Sequence, residues 1–160
     1  MRLLLLSLLL LSACSRTTNW QVQNLPARAH CFESARLIYR SCDRSCGIDI
    51  ELLSGPDLLA TYLQVTSGYI PCNPEDPATS KVTLRGKTRS LTVDAERHAG
   101  GQRLRLPQVA QEFFLTALER GEPFCLELPG YVEPVDSAGF ARAFAKMLHP
   151  GLRLPFHFPY

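Results

Sequence analysis

The stretch Gly47-Ile48-Asp49-Ile50-Glu51-Leu52-Leu53 decides the reading of this chain. Ile48, Ile50 and Leu52 fall on one side of an extended backbone, and Asp49 and Glu51 fall on the other. That period of two marks a strand with one face buried. Ser54-Gly55-Pro56-Asp57 breaks the pattern and LATYLQV resumes it, which predicts a hairpin. Farther on, Val82 and Leu84 alternate with polar neighbours, and Gly86 turns the chain. Leu91, Val93 and Ala95 then alternate with Thr92, Asp94 and Glu96. Gly100-Gly101 turns it again before Leu104 and Leu106. This is a meander of short antiparallel strands. At Pro107 the period changes to that of a helix, which runs to Arg120 before Gly121. Ala110, Phe113, Phe114, Ala117 and Leu118 form its apolar stripe, leaving Gln111 outward. Phe124, Leu126 and Leu128 return to strand spacing. A second short helix is expected over 137–148, with Phe140, Phe144 and Leu148 on one face. Both helices need an apolar surface to cover. The fold class is therefore α+β, mainly β: an antiparallel sandwich or curled sheet with two packed helices.

The 160 residues carry 17 Lys and Arg against 15 Asp and Glu, a formal +2. So even a balance argues against nucleic acid as the main partner. A hydrophobic content of 46% argues against disorder.

The chain begins MRLLLLSLLLLSAC. Arg2 precedes an apolar run, Leu3 to Leu11, broken only by Ser7. As a helix that run covers roughly 14 Å, about half of a hydrocarbon core. It is too short to span and reads as a cleaved signal. The ending Leu11-Ser12-Ala13-Cys14 resembles the lipobox of bacterial lipoproteins. The resemblance covers residues 1–14 alone. It implies that residues 1–13 are removed, that Cys14 is lipidated, and that the protein is exported and anchored in the cell envelope. Ser15 rather than an aspartate follows the cysteine, which in the resembling class is compatible with sorting to the outer membrane. Two or three acyl chains anchor durably where one is marginal. Residues 14–30 then read as a polar tether with Trp20 as its exception, 31–150 as a single mostly β domain, and 151–160 as an aromatic and proline-rich tail.

Besides Cys14 there are Cys31, Cys42, Cys46, Cys72 and Cys125. In an exported protein these are candidates for disulfides, and five cannot all pair within one chain. Cys42 and Cys46 face each other if the strands around them join near Asp43-Arg44-Ser45. Folding about Ser54-Gly55-Pro56-Asp57 makes Cys72 a rival partner. Cys42 and Cys46 also have a permitted zinc spacing, with Cys31 or His30 to assist, but no second close pair follows. Neither a metal nor a cofactor is implied.

The catalytic motifs G-x-S-x-G, P-loop, H-E-x-x-H and G-x-G-x-x-G are missing. Ser67-Gly68-Tyr69 reads as turn chemistry. Arg85, Lys87, Arg89, Arg97, Arg103 and Arg105 gather in one region, either as a cationic face or as a solvated sheet face. In the tail, Leu154, Phe156, Phe158 and Tyr160 recur at spacing two between prolines. Phe156, Phe158 and Tyr160 either lie on the domain's own core or are offered to a partner groove. The expected function is a membrane-anchored module that binds or scaffolds an envelope protein or other envelope component. The alternatives are an envelope enzyme, hydrolytic or thiol-based, and a carrier of a small apolar ligand.

Overall fold

The computed structural model describes residues 18–24, 35–43, 45–54 and 59–149. Nine strands form one antiparallel sheet: β1 (Trp20–Asn24), β2 (Ala35–Tyr39), β3 (Ile48–Ser54), β4 (Leu59–Val65), β5 (Thr79–Arg85), β6 (Ser90–Arg97), β7 (Arg103–Arg105), β8 (Phe124–Leu128) and β9 (Tyr131–Val135). Two helices pack on it, α1 (Gln108–Glu119) and α2 (Phe140–Leu148). The strand order is β1-β2-β3-β4-β7-β6-β5-β8-β9, so the fold is the curled sheet rather than the sandwich.

The alternation read from 47–53 sets the register. Ile48, Ile50 and Leu52 are fully buried, and across the ladder they meet Val65, Leu63 and Thr61 on β4. Tyr39 and Leu37 continue the same face on β2. Leu104 extends it through β7, Ala95 through β6, Val82 and Leu84 through β5, and Leu126 through β8. On the opposite face Glu51 joins two strands at once. Its Oε1 lies 3.0 Å from Arg36 and its Oε2 lies 2.8 Å from Arg103, whose guanidinium rests 4.2 Å from the Tyr62 ring centre.

Helix α1 covers the inner face with the stripe expected of it: Ala110, Phe113, Phe114, Ala117 and Leu118 are all buried. Gly121, at φ +74°, ends the helix by donating to the Leu118 carbonyl, while Glu122 donates to that of Ala117. A left-handed residue with this bond pair terminates a helix sharply, and glycine adopts it without a Cβ penalty. Gln111 is not free on the outer side. Its Nε2 donates to the Leu59 carbonyl at 2.9 Å and its Oε1 accepts from Thr61 at 3.2 Å, tying α1 to β4. In α2 the buried side is Phe140 and Met147, with Phe144 and Ala143 packed against the core. Leu148 points out and is 45% exposed. The true spacing is i, i+3, i+4, i+7, which follows a helix better than a strict repeat of four.

Two strands were not expected. Trp20–Asn24 lies within the segment read as tether, yet it forms the edge strand β1, with Trp20 opposite Tyr39 and Val22 opposite Leu37. The reason is Trp20, only 3% exposed, whose ring packs 4.9 Å from Phe140 and 5.0 Å from Tyr39 between centroids. Strand β9 pairs with β8 and returns the sheet toward its beginning.

Replacing Phe114 by alanine removes the ring that meets Trp20, Phe124 and Phe140 edge-on. The expected loss is about 3–5 kcal/mol of stability. Glu112→Ala, at an exposed position of the same helix, should change stability by no more than about 0.5 kcal/mol. Denaturant midpoints of the two variants check this.

Candidate functional site

Two features stand out at the end of the molecule where β1 begins. The first is a buried polar clasp. Glu133 occupies an inward position of β9, opposite Leu126, and is 4% exposed. Its Oε2 accepts from Ser41 Oγ at 2.6 Å and from the Ile48 N–H at 3.2 Å, and its Oε1 lies 3.2 Å from the Tyr39 hydroxyl. The same hydroxyl lies 3.0 Å from the Pro134 carbonyl. Burial, opposed by the Asn19 hydrogen bond and reinforced by Glu133, pushes Tyr39 from 10.0 up to about 12. No basic side chain lies within ion-pair distance of Glu133 among the described residues. Among these residues its carboxyl oxygens are satisfied by hydrogen bonds. The clasp joins β9 to the β2–β3 turn, whose strands lie seven and six places away in the sheet order. Gly47 is required there: a Cβ would stand 2.0 Å from Ser41 Oγ and 2.2 Å from the Asp43 carbonyl.

The second feature is an open groove of about 720 Å3 between β1, the end of α1 and the exposed side of α2. Trp20 and Val22 line it from the sheet and Leu118 from α1. Arg142 and Lys146 of α2 stand over it, with Glu119 across from them as its acidic residue. Thr18 closes the end of the groove at which α2 starts. A Cβ on Gly139, whose φ is +81°, would meet the Thr18 methyl at 2.4 Å. The Trp20 indole N–H donates to the Asp136 carbonyl at 2.8 Å, fastening the first strand to the segment leading into α2.

Among the described residues Cys42, Cys46, Cys72 and Cys125 stand as free thiols. Asp43 accepts from the backbone N–H groups of Ser45 and Cys46, and the Cys46 thiol donates to its Oδ2 at 2.8 Å. Cys42 instead lies 3.5 Å from Asn19 Nδ2. The Asp43 hydrogen bond raises the Cys46 pKa, and burial raises that of Cys125, which sits opposite Pro134 with Arg85 on the outer face. Both shifts work against thiolate chemistry. Among the described residues no three metal-ligating side chains cluster.

The six basic residues are dispersed. Arg85 holds Glu127 at 2.8 and 2.9 Å, Arg103 holds Glu51, and Arg105 lies 4.0 Å from Glu96. Arg89 lies over the Phe113 ring, and Arg97 donates to the carbonyls of Ile70 and Pro77. The solvated-face reading therefore describes them. Ser67 donates to the Ser45 carbonyl as part of the turn, and His98 packs edge-on against Tyr62. Cys14, His30, Cys31, Phe156, Phe158 and Tyr160 lie outside the described residues. Among the described residues no helix is long and apolar enough to cross a membrane.

Comparison with family models, with curated proteins and with solved structures finds no match to this chain. The clasp and the groove are accordingly read from their own geometry.

Glu133→Ala strands Ser41 Oγ and the Ile48 N–H without an acceptor and is expected to cost about 3 kcal/mol. Glu133→Gln keeps one acceptor oxygen and should cost about 1–2 kcal/mol. Chemical denaturation of both variants measures the difference. For Tyr39 the folded pKa lies above the unfolded one, so its contribution is complete below 10.0 and is lost as pH rises toward about 12. Tyr39→Phe should flatten the fall in stability across that window, read from denaturation midpoints on either side of it.

Proposed function

We propose that this chain is a lipid-anchored protein of the bacterial cell envelope, more toward the outer membrane, whose mostly β domain serves as a binding or scaffolding module for another envelope component. The observation that carries the reading is the conjunction of Leu11-Ser12-Ala13-Cys14 with the position of the groove. The groove opens beside Thr18, four residues beyond the cysteine that the lipobox resemblance makes the anchor. A domain fixed at that point presents its concave feature next to the membrane, where a second envelope component or the lipid itself meets it. The clasp supports a structural role for the buried polar residues: Tyr39, Ser41 and Glu133 satisfy one another, as residues do when they hold a fold closed.

Carriage of a small apolar ligand is the second reading, and the groove volume favours it, since ligand sites run from about 300 to 1,000 Å3. Mass spectrometry of an organic extract of the purified protein separates the two. A stoichiometric apolar molecule supports carriage.

The anchor is tested by metabolic labelling with an alkynyl fatty acid. Wild type should label and sediment with membranes. Cys14→Ser should lose the label and either appear in the soluble fraction or retain residues 1–13. Equal labelling of the two proteins overturns the anchoring.

A further inference from the structure

We infer that the exposed side of α2, with the groove beside it, docks onto the anionic phospholipid headgroups of the membrane that holds Cys14. The inference rests on the anchoring reading and adds to it the face, the residues and the lipid charge. Its first support is chain length. A tether of residues 14–30 would let the domain stand well away from the lipid, but the folded body is already present at Thr18 and Trp20. Thr18 lies four positions after Cys14, a reach of at most about 14 Å. Thr18 is in contact with Gly139, the residue from which α2 starts. The start of α2 is thus held to that distance plus one van der Waals contact from the acylated residue.

Charge is the second support. The sequence of α2, FARAFAKML, holds Arg142 and Lys146 one turn apart and no acidic residue. Both are exposed, and neither has an ion-pair partner among the described residues. Like charges four apart on a helix repel, and a facing polyanion relieves that repulsion. Elsewhere on the surface Arg36, Arg40, Lys81, Arg85, Arg103 and Arg105 each have a carboxylate within reach. Arg89 and Arg97 rest on a ring and on carbonyls, and Lys87 and Arg120 have no carboxylate among the described residues. In the groove Glu119 is outnumbered two to one. Third, the outward side of α2, opposite the Phe140 and Met147 side that packs on the core, ends in an exposed apolar residue, Leu148, which the headgroup region accepts. Each basic residue held near an anionic surface strengthens binding about fivefold, so the pair contributes about twenty-five-fold.

Trp20 is the one tryptophan of the chain and, although buried, lines the groove, so its quenching reports how near the groove lies to the headgroups. The full chain, purified from membranes, is reconstituted into vesicles of phosphatidylcholine alone or with one-third phosphatidylglycerol, each carrying a spin-labelled headgroup that quenches tryptophan. Wild type should partition into both kinds, with Trp20 quenched more strongly in the anionic vesicles and the excess removed by high salt. The double variant Arg142→Glu/Lys146→Glu should partition equally well and keep its denaturation midpoint, since both positions are exposed, but its quenching should fall to the zwitterionic level. Equal quenching of the two proteins in anionic vesicles overturns the docking, as does quenching that ignores lipid charge. If wild type does not partition into zwitterionic vesicles, the anchoring has failed by itself. Docking is then read from salt-sensitive sedimentation with the anionic vesicles, and wild type binding no better than the double variant overturns it.

Discussion

A buried carboxylate with no cation beside it among the described residues governs this fold. Glu133 sits on the inner face of the last strand, and everything that satisfies it comes from the other side of the sheet: Tyr39 at the end of β2, Ser41 in the following turn and the N–H of Ile48 at the start of β3. An antiparallel sheet of nine strands has two edges, and here no backbone ladder joins them. The carboxyl meets its donors across the curl of the sheet, at the far strands. A buried polar group costs free energy unless its hydrogen bonds are made, so the clasp ties the last strand to the β2–β3 turn. The close approach of Gly47 to Ser41 belongs to the same constraint, since a side chain there would push the turn off Glu133.

The strands whose apolar residues keep strict alternation were legible in the sequence. Ile48, Ile50 and Leu52 announce β3, and Val82, Leu84, Leu91, Val93 and Ala95 announce the meander, because burial of one face leaves a local trace in residue type. Helix α1 was legible through its stripe and its closing glycine. Strand β9 was hidden for a physical reason. In Tyr131-Val132-Glu133-Pro134-Val135 the inward middle position is charged, the outward Val132 is apolar, and proline interrupts the donors. The pattern inverts because Glu133 answers to residues 85 to 94 positions away, which no local period records. Strand β1 was hidden by brevity: it offers two inward apolar residues, Trp20 and Val22, among glutamines. The groove was illegible for the same reason, being made where β1, α1 and α2 meet. The contact of the Cys46 thiol with Asp43, which caps the turn, leaves no period in the sequence to read.

The bond from the Trp20 indole to the Asp136 carbonyl spans 116 residues of sequence. Together with the packing of Trp20 on Phe140, it makes the first strand dependent on the last helix. A chain emerging from its amino terminus must complete nearly all of its hairpins before the tryptophan has anywhere to go. Contacts of such separation form late, and they lengthen folding times through the entropy of closing a long loop. Until residue 140 arrives, the earliest part of the protein carries an unburied aromatic ring on an unpaired edge, the condition in which nascent β chains associate with one another. The order of events in biogenesis is thus set by one side chain near the beginning whose place is built at the end.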